Sequence, residues 1–209
     1  MLTAAPTRRQ WALLLPTLLL AVVLAASACT TSPPKRLPPP PADETPVWLM
    51  GDSLGWATAA HMRPLPYTAA VGGAGFTSGA PVLVMDHTVE ALDEHDDPTH
   101  ILVLAGVNDI KPGITTQDII DGMVLVESEI ASRGITTVWV AQPAWVHANG
   151  LGPVADWVNS RPGSIDCRNH AGTSWDGVHP ADYGPFADCI DAALVDMGII
   201  WTNDPPLGG

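Results

Sequence analysis

Val47-Trp48-Leu49-Met50-Gly51-Asp52-Ser53-Leu54 decides how this chain folds. Four consecutive apolar residues closed by a glycine are the pattern of a strand buried on both faces, and such strands belong to parallel sheets covered by helices. A helix is expected to begin near Ser53, which puts Gly51-Asp52-Ser53 at the turn from strand to helix. In an open parallel sheet ligands bind at such turns, outside the carboxyl ends of the strands.

Downstream, short apolar runs alternate with helical stretches, the signature of an α/β layer architecture. Tyr67 to Val71 reads as a second strand ending in Gly72-Gly73-Ala74-Gly75, Ile101 to Leu104 as the central strand, and Thr136 to Ala141 as a fourth. Between the last two, Ile119, Met123, Val126 and Ile130 form one helical stripe, with Thr115 and Asp118 as a cap and Gly134 as the stop. Strand, helix, strand implies a right-handed parallel crossover. A last helix is expected from Pro185 to Met197, with Phe186, Ile190, Leu194 and Met197 facing the sheet and Gly198 ending it. Val82 to Asp97 is read as helix, although it opens on the apolar Val82-Leu83-Val84-Met85.

Upstream of Val47 the composition changes. Residues 1–28 read as an export signal: Arg8 and Arg9 before the apolar Trp11 to Leu24, then Ala25-Ala26-Ser27-Ala28. The apolar stretch is short for a membrane span and Pro16 interrupts it, so a cleaved signal is expected rather than a permanent transmembrane helix. Small residues before Cys29 resemble the lipobox of bacterial lipoproteins, which would make Cys29 a lipidated N-terminus; Ala26 stands where such boxes usually carry Leu, and an ordinary secretory signal is the alternative. Residues 29–46, with Pro38 to Pro41 unbroken, form an extended tether, leaving residues 47–209 as the folded domain. The expected location is the outer face of a membrane, held there through the lipid alone, or else the secreted fraction.

With Cys29 lipidated, Cys167 and Cys189 remain as an even pair in an oxidising compartment, and a disulfide is expected between them; two buried thiols are the alternative. The chain carries a formal charge of −13, or −15 once the four basic and two acidic residues before Val47 are set aside. Such a surface repels nucleic acid and anionic lipid headgroups, so neither is an expected partner.

Four motifs carry chemistry. Gly51-Asp52-Ser53-Leu54, Gly73-Ala74-Gly75 and Gly106-Val107-Asn108-Asp109 follow predicted strands, and Asp176-Gly177-Val178-His179 precedes the final helix. In this order, from Val47 to about Met197, the chain resembles the SGNH (GDSL-type) hydrolase superfamily. The resemblance implies a flavodoxin-like three-layer α/β/α domain with a central parallel sheet. It also implies a serine hydrolase that cleaves carboxylic esters through an acyl-enzyme, with no cofactor and no metal.

Its nucleophile maps to Ser53, its base to His179 and the base's partner to Asp176. Its oxyanion donors map to the backbone N–H of Ser53 and of Gly75 and to the side-chain amide of Asn108. The assignment meets a physical need, since a serine hydroxyl attacks only when a base takes its proton and a third group orients that base. Gly72 and Gly73 compete with Gly75 for the glycine role; the resemblance favours Gly75, because Phe76-Thr77 then follows it as a polar or aromatic residue and a threonine follow the glycine in the family.

Loop or helix-start capping is expected of Asp52 and Asp109. His61, His87, His95, His100, His147 and His170 are read as surface or satisfied polar residues, and no His or Cys pair has the spacing of a metal site. Trp56, Trp145 and Trp175 either line an acyl pocket or fill the core. The substrate is expected to be a small-molecule, glycan or lipid ester and the protein a monomer. An envelope O-acyltransferase using the same acyl-enzyme, or a noncatalytic envelope-binding lipoprotein, are the alternatives.

Overall fold

The computed structural model describes residues 47–63, 65–95, 97–146, 150–174 and 176–199. The export signal, Cys29, the tether, His147, Trp175 and residues 200–209 lie outside the described residues. β1 (Val47–Gly51) leads into α1 (Ser53–Ala59) and β2 (Tyr67–Thr68); a short pair, β3 (Ala74–Gly75) and β4 (Val82–Leu83), precedes α2 (Val84–Glu94). β5 (His100–Leu104), α3 (Thr116–Ser132) and β6 (Thr136–Trp139) follow, and α4 (Ala144–Val146), α5 (Gly152–Asn159) and α6 (Gly184–Asp196) complete the order.

The main sheet runs β2-β1-β5-β6 with every pair parallel. This is the flavodoxin-like order, and the strand sequence reverses between β1 and β5, the place where such sheets open a crevice for ligands. After β6 the edge is extended, among the described residues, by the parallel bridge of Val140 to Ile165.

Alternation along the strands separates two cores. Trp48, Met50, Ile101, Val103 and Trp139 face one side and pack with residues of α2, α3 and α5. Val47, Leu49, Leu102, Leu104 and Val138 face the other and pack with Leu54 of α1 and with Phe186, Ile190 and Leu194 of α6. Helices on both faces of a parallel sheet make three layers. The α3 stripe is buried at Ile119, Met123, Val126 and Ile130, and Thr115 and Asp118 close a capping box at its start. Among the described residues no helix is long and apolar enough to cross a membrane.

Three local expectations are corrected. Val82 and Leu83 form strand β4 against β3 rather than helix, because their backbone pairs with Ala74 and Gly75. The second strand is only Tyr67–Thr68, although Ala69 and Val71 still donate to the Leu49 and Gly51 carbonyls and carry the chain along β1. Met197 sits at the C-cap of α6 and is 37% exposed, beyond the last turn that touches the sheet.

Candidate active site

The nucleophile motif is shaped by crowding. A Cβ at Gly51 would lie 2.0 Å from the Leu104 carbonyl oxygen, so only glycine lets β1 turn off its neighbour at this point. Asp52 then caps α1, its Oδ1 accepting from Leu54 N–H at 2.8 Å, while its Oδ2 accepts from Gly106 N–H at 3.1 Å. The carboxyl has no solvent exposure, and burial pushes its pKa up to about 7 against the lowering effect of those backbone donors. Asp52 therefore caps a helix, as expected, and also ties the turn after β1 to the turn after β5.

Asp109 ties two segments in a similar way but caps no helix. Its carboxylate accepts from Phe76 N–H and Thr77 N–H, each at 2.8 Å, and from the Thr77 hydroxyl at 2.7 Å, all buried. This places the turn after β5 on top of β3. A Cβ at Gly75 would lie 2.7 Å from Asp109 Oδ2, whereas one at Gly72 would meet nothing and Gly73 takes a positive φ of 85° in a turn. Of the competing glycines, Gly75 is the one packed against the asparagine motif. The Asn108 amide donates to the Ala74 carbonyl at 2.9 Å, so Asn108 and Gly75 are neighbours.

The last motif reaches the same place from the other side. His179 Nε2 lies 2.9 Å from Ser53 Oγ across 126 residues of sequence, and His179 Nδ1 lies 2.6 Å from Asp176 Oδ2. With Nδ1–H donated to the carboxylate, Nε2 is left to accept the serine proton. Burial raises the Asp176 pKa, but hydrogen bonds from His179 and Val178 outweigh it and hold the carboxyl down at about 2. Asp176 is thus an anion throughout the neutral range. Asp176 and His179 thus meet Ser53, Asp52 ties the Ser53 turn to the turn that carries Asn108, and Asn108 lies beside Gly75.

No family model and no curated protein matches this sequence. Solved structures do. The inhibitor-bound aryl esterase of M. smegmatis aligns at 15% identity over 74% of this chain and 99% of that chain, with a TM-score of 0.56. A carbohydrate acetylesterase from Sinorhizobium meliloti aligns at 15% identity over 74% and 99%, with a TM-score of 0.55. A GDSL-like lipase from Bacteroides thetaiotaomicron aligns at 13% identity over 77% and 91%, with a TM-score of 0.51. This chain has the GDSL-type (SGNH) hydrolase fold.

Around the centre of this SGNH fold the remaining candidates fall into place. Trp56 projects from α1 one turn beyond Ser53 and is 39% exposed. Trp145 is half-buried against both cores, and its indole N–H reaches the Val178 carbonyl at 3.2 Å. His61 stacks on Tyr183 with ring centroids 5.9 Å apart, well within ordinary aromatic packing. A groove of about 260 Å³, lined by Ile110, Lys111, Pro112, Ile114 and Leu151, opens beside the asparagine motif.

Cys167 and Cys189 are joined in a disulfide whose 22-residue span contains Asp176 and His179. His170 converges on the two sulfurs, so three atoms of metal-ligating type do meet, contrary to what the linear spacing suggested. The sulfurs are spent in the disulfide and offer no thiolate, the form in which cysteine binds metals. Sequence reading missed two supporting residues: Gln142, buried and donating to the Ala105 carbonyl, and Ser174, whose hydroxyl lies within the His179 loop.

Proposed function

We propose that the protein hydrolyses carboxylic esters through an acyl-enzyme on Ser53. The observation that carries this is the unbroken chain from Asp176 Oδ2 through the His179 ring to Ser53 Oγ, at 2.6 and 2.9 Å. His179 Nε2 takes the serine proton as Oγ bonds to the ester carbonyl carbon, and the anionic Asp176 stabilises the imidazolium that forms. The carbonyl electrons move onto oxygen. That oxyanion is met by the N–H groups of Ser53 and Gly75 and by the second N–H of the Asn108 amide, the first being held by Ala74; such donors are worth about 3 kcal/mol each.

Collapse of the intermediate breaks the bond to the alcohol, which leaves with the proton from His179. Water then repeats the sequence on the acyl-enzyme, releasing the acid and restoring Ser53. The structural neighbours named as esterases or a lipase support this reading. The expected outcome is that a fluorophosphonate labels Ser53 in the wild type and labels neither Ser53→Ala nor His179→Ala. Absence of label on folded wild-type protein rejects the nucleophile.

The same reading places the domain outside the cell, held on a membrane by lipid at Cys29; the disulfide is the supporting observation, since such bonds persist in oxidising compartments. Detergent-phase partitioning of the full chain, lost in Cys29→Ser, is the outcome expected.

A further inference from the structure

Resting on that reading of the site, we infer that Trp145 and Ser174 are positioning residues that hold the His179 loop in its reactive geometry. The loop needs such help. Unlike Ser53, which is set by a strand, a buried cap and a helix, His179 sits on a largely solvent-exposed turn between the Arg168–His170 turn and α6.

Hydrogen bonds from side chains define it. The peptide unit joining Val178 to His179 is gripped at both ends: its carbonyl accepts from Trp145 Nε1–H at 3.2 Å, and its N–H donates to Asp176 Oδ1 at 2.7 Å. The carbonyl of His179 itself accepts from the Ser174 hydroxyl at 2.9 Å, and that hydroxyl in turn accepts from Gly177 N–H at 2.8 Å. Next to it, Ser174 bridges Pro180 and Ala181 N–H donates to the Thr173 carbonyl at 2.8 Å, so the loop is pinched at its base.

Trp145 is suited to this task because its ring packs against both cores, which leaves its N–H to meet the loop. Asp176 divides its oxygens, one on the loop backbone and one on the His179 ring. Trp145 and Ser174 therefore fix the backbone that carries the base, while Asp176 fixes the ring. Displacing a reacting group by about 1 Å can cost on the order of 10²-fold in rate.

Trp145→Phe keeps an aromatic ring in that packing and removes the N–H; Ser174→Ala removes the hydroxyl and Ser174→Thr restores it. The expected result is a loss of roughly tenfold in kcat for Trp145→Phe and for Ser174→Ala, with KM within about twofold and a parallel fall in the rate of fluorophosphonate labelling. Ser174→Thr recovers both rates. If Trp145→Phe and Ser174→Ala lower only the melting temperature and leave kcat and labelling at wild-type rates, the residues are merely structural and the inference is overturned. Wild-type protein that is folded yet neither labelled nor active sinks the proposed function instead, so the two failures are told apart.

Discussion

The two halves of the candidate site are built on opposite principles. Ser53, Gly75 and Asn108 are set by strand ends whose turns are tied by two fully buried carboxylates, Asp52 and Asp109. Asp176 and His179 stand on an exposed loop held by side-chain hydrogen bonds and closed behind by a disulfide. Buried polar ties are costly to break because each orphaned donor loses water as well as its partner. Exposed ties are replaceable by water, so the loop's hydrogen bonds contribute to geometry more than to stability.

The sharpest break of this contrast is Asp176→Asn. It should lower kcat about 10⁴-fold, as loss of the orienting carboxylate does in triads, while circular dichroism shows a much smaller fall in melting temperature than Asp109→Ala gives. Global unfolding in this variant would show that the loop is structural after all. Asp109→Ala should do the reverse. It strands Phe76 N–H, Thr77 N–H and the Thr77 hydroxyl, at about 3 kcal/mol or more in total, read by chemical denaturation. A mild effect would mean that the buried ties do not hold the nucleophile side.

Reducing the disulfide sharpens the loop side. Closing a loop of 22 residues is worth about 3 kcal/mol, so dithiothreitol should lower stability by that order, and hydrogen exchange should rise first within 168–188. Uniform loosening of the whole domain would contradict the division.

The comparison also shows in pH. Asp52 and Asp191 are raised by burial from 3.8 to about 7 and about 6, so the folded state binds their protons more tightly than the unfolded chain does. Their contribution to stability is present below about pH 4 and is lost as the pH rises toward 7. Asp176 is lowered to about 2, so its contribution is present above about pH 4 and is lost as the pH falls toward 2. A melting temperature that peaks near pH 4 is expected, and Asp191→Asn should flatten the decline on the neutral side.

Much of this was legible before any coordinates. The buried strands β1 and β5, the α3 stripe with its capping box and the pairing of Cys167 with Cys189 all follow from patterns within a few residues or from cysteine parity. β4 was misread because Val82-Leu83-Val84-Met85 is apolar without a period, and only its partner β3 decides between strand and helix. Asp52 is recognisable as a helix cap, but its second bond goes to a donor 54 residues away, and Asp109 is held by donors 32 to 33 residues away rather than by a helix start.

The linear order of residues by itself determined the layers, the element ends and which side chains have the chemistry, because those depend on period, composition and local hydrogen bonding. Tertiary structure alone decided which glycine meets the asparagine motif, that Trp145 serves the loop rather than only the core, and that Ser53 and His179 touch. Contacts between distant segments are set by how two cores pack on one sheet, and nothing local in either partner encodes that distance.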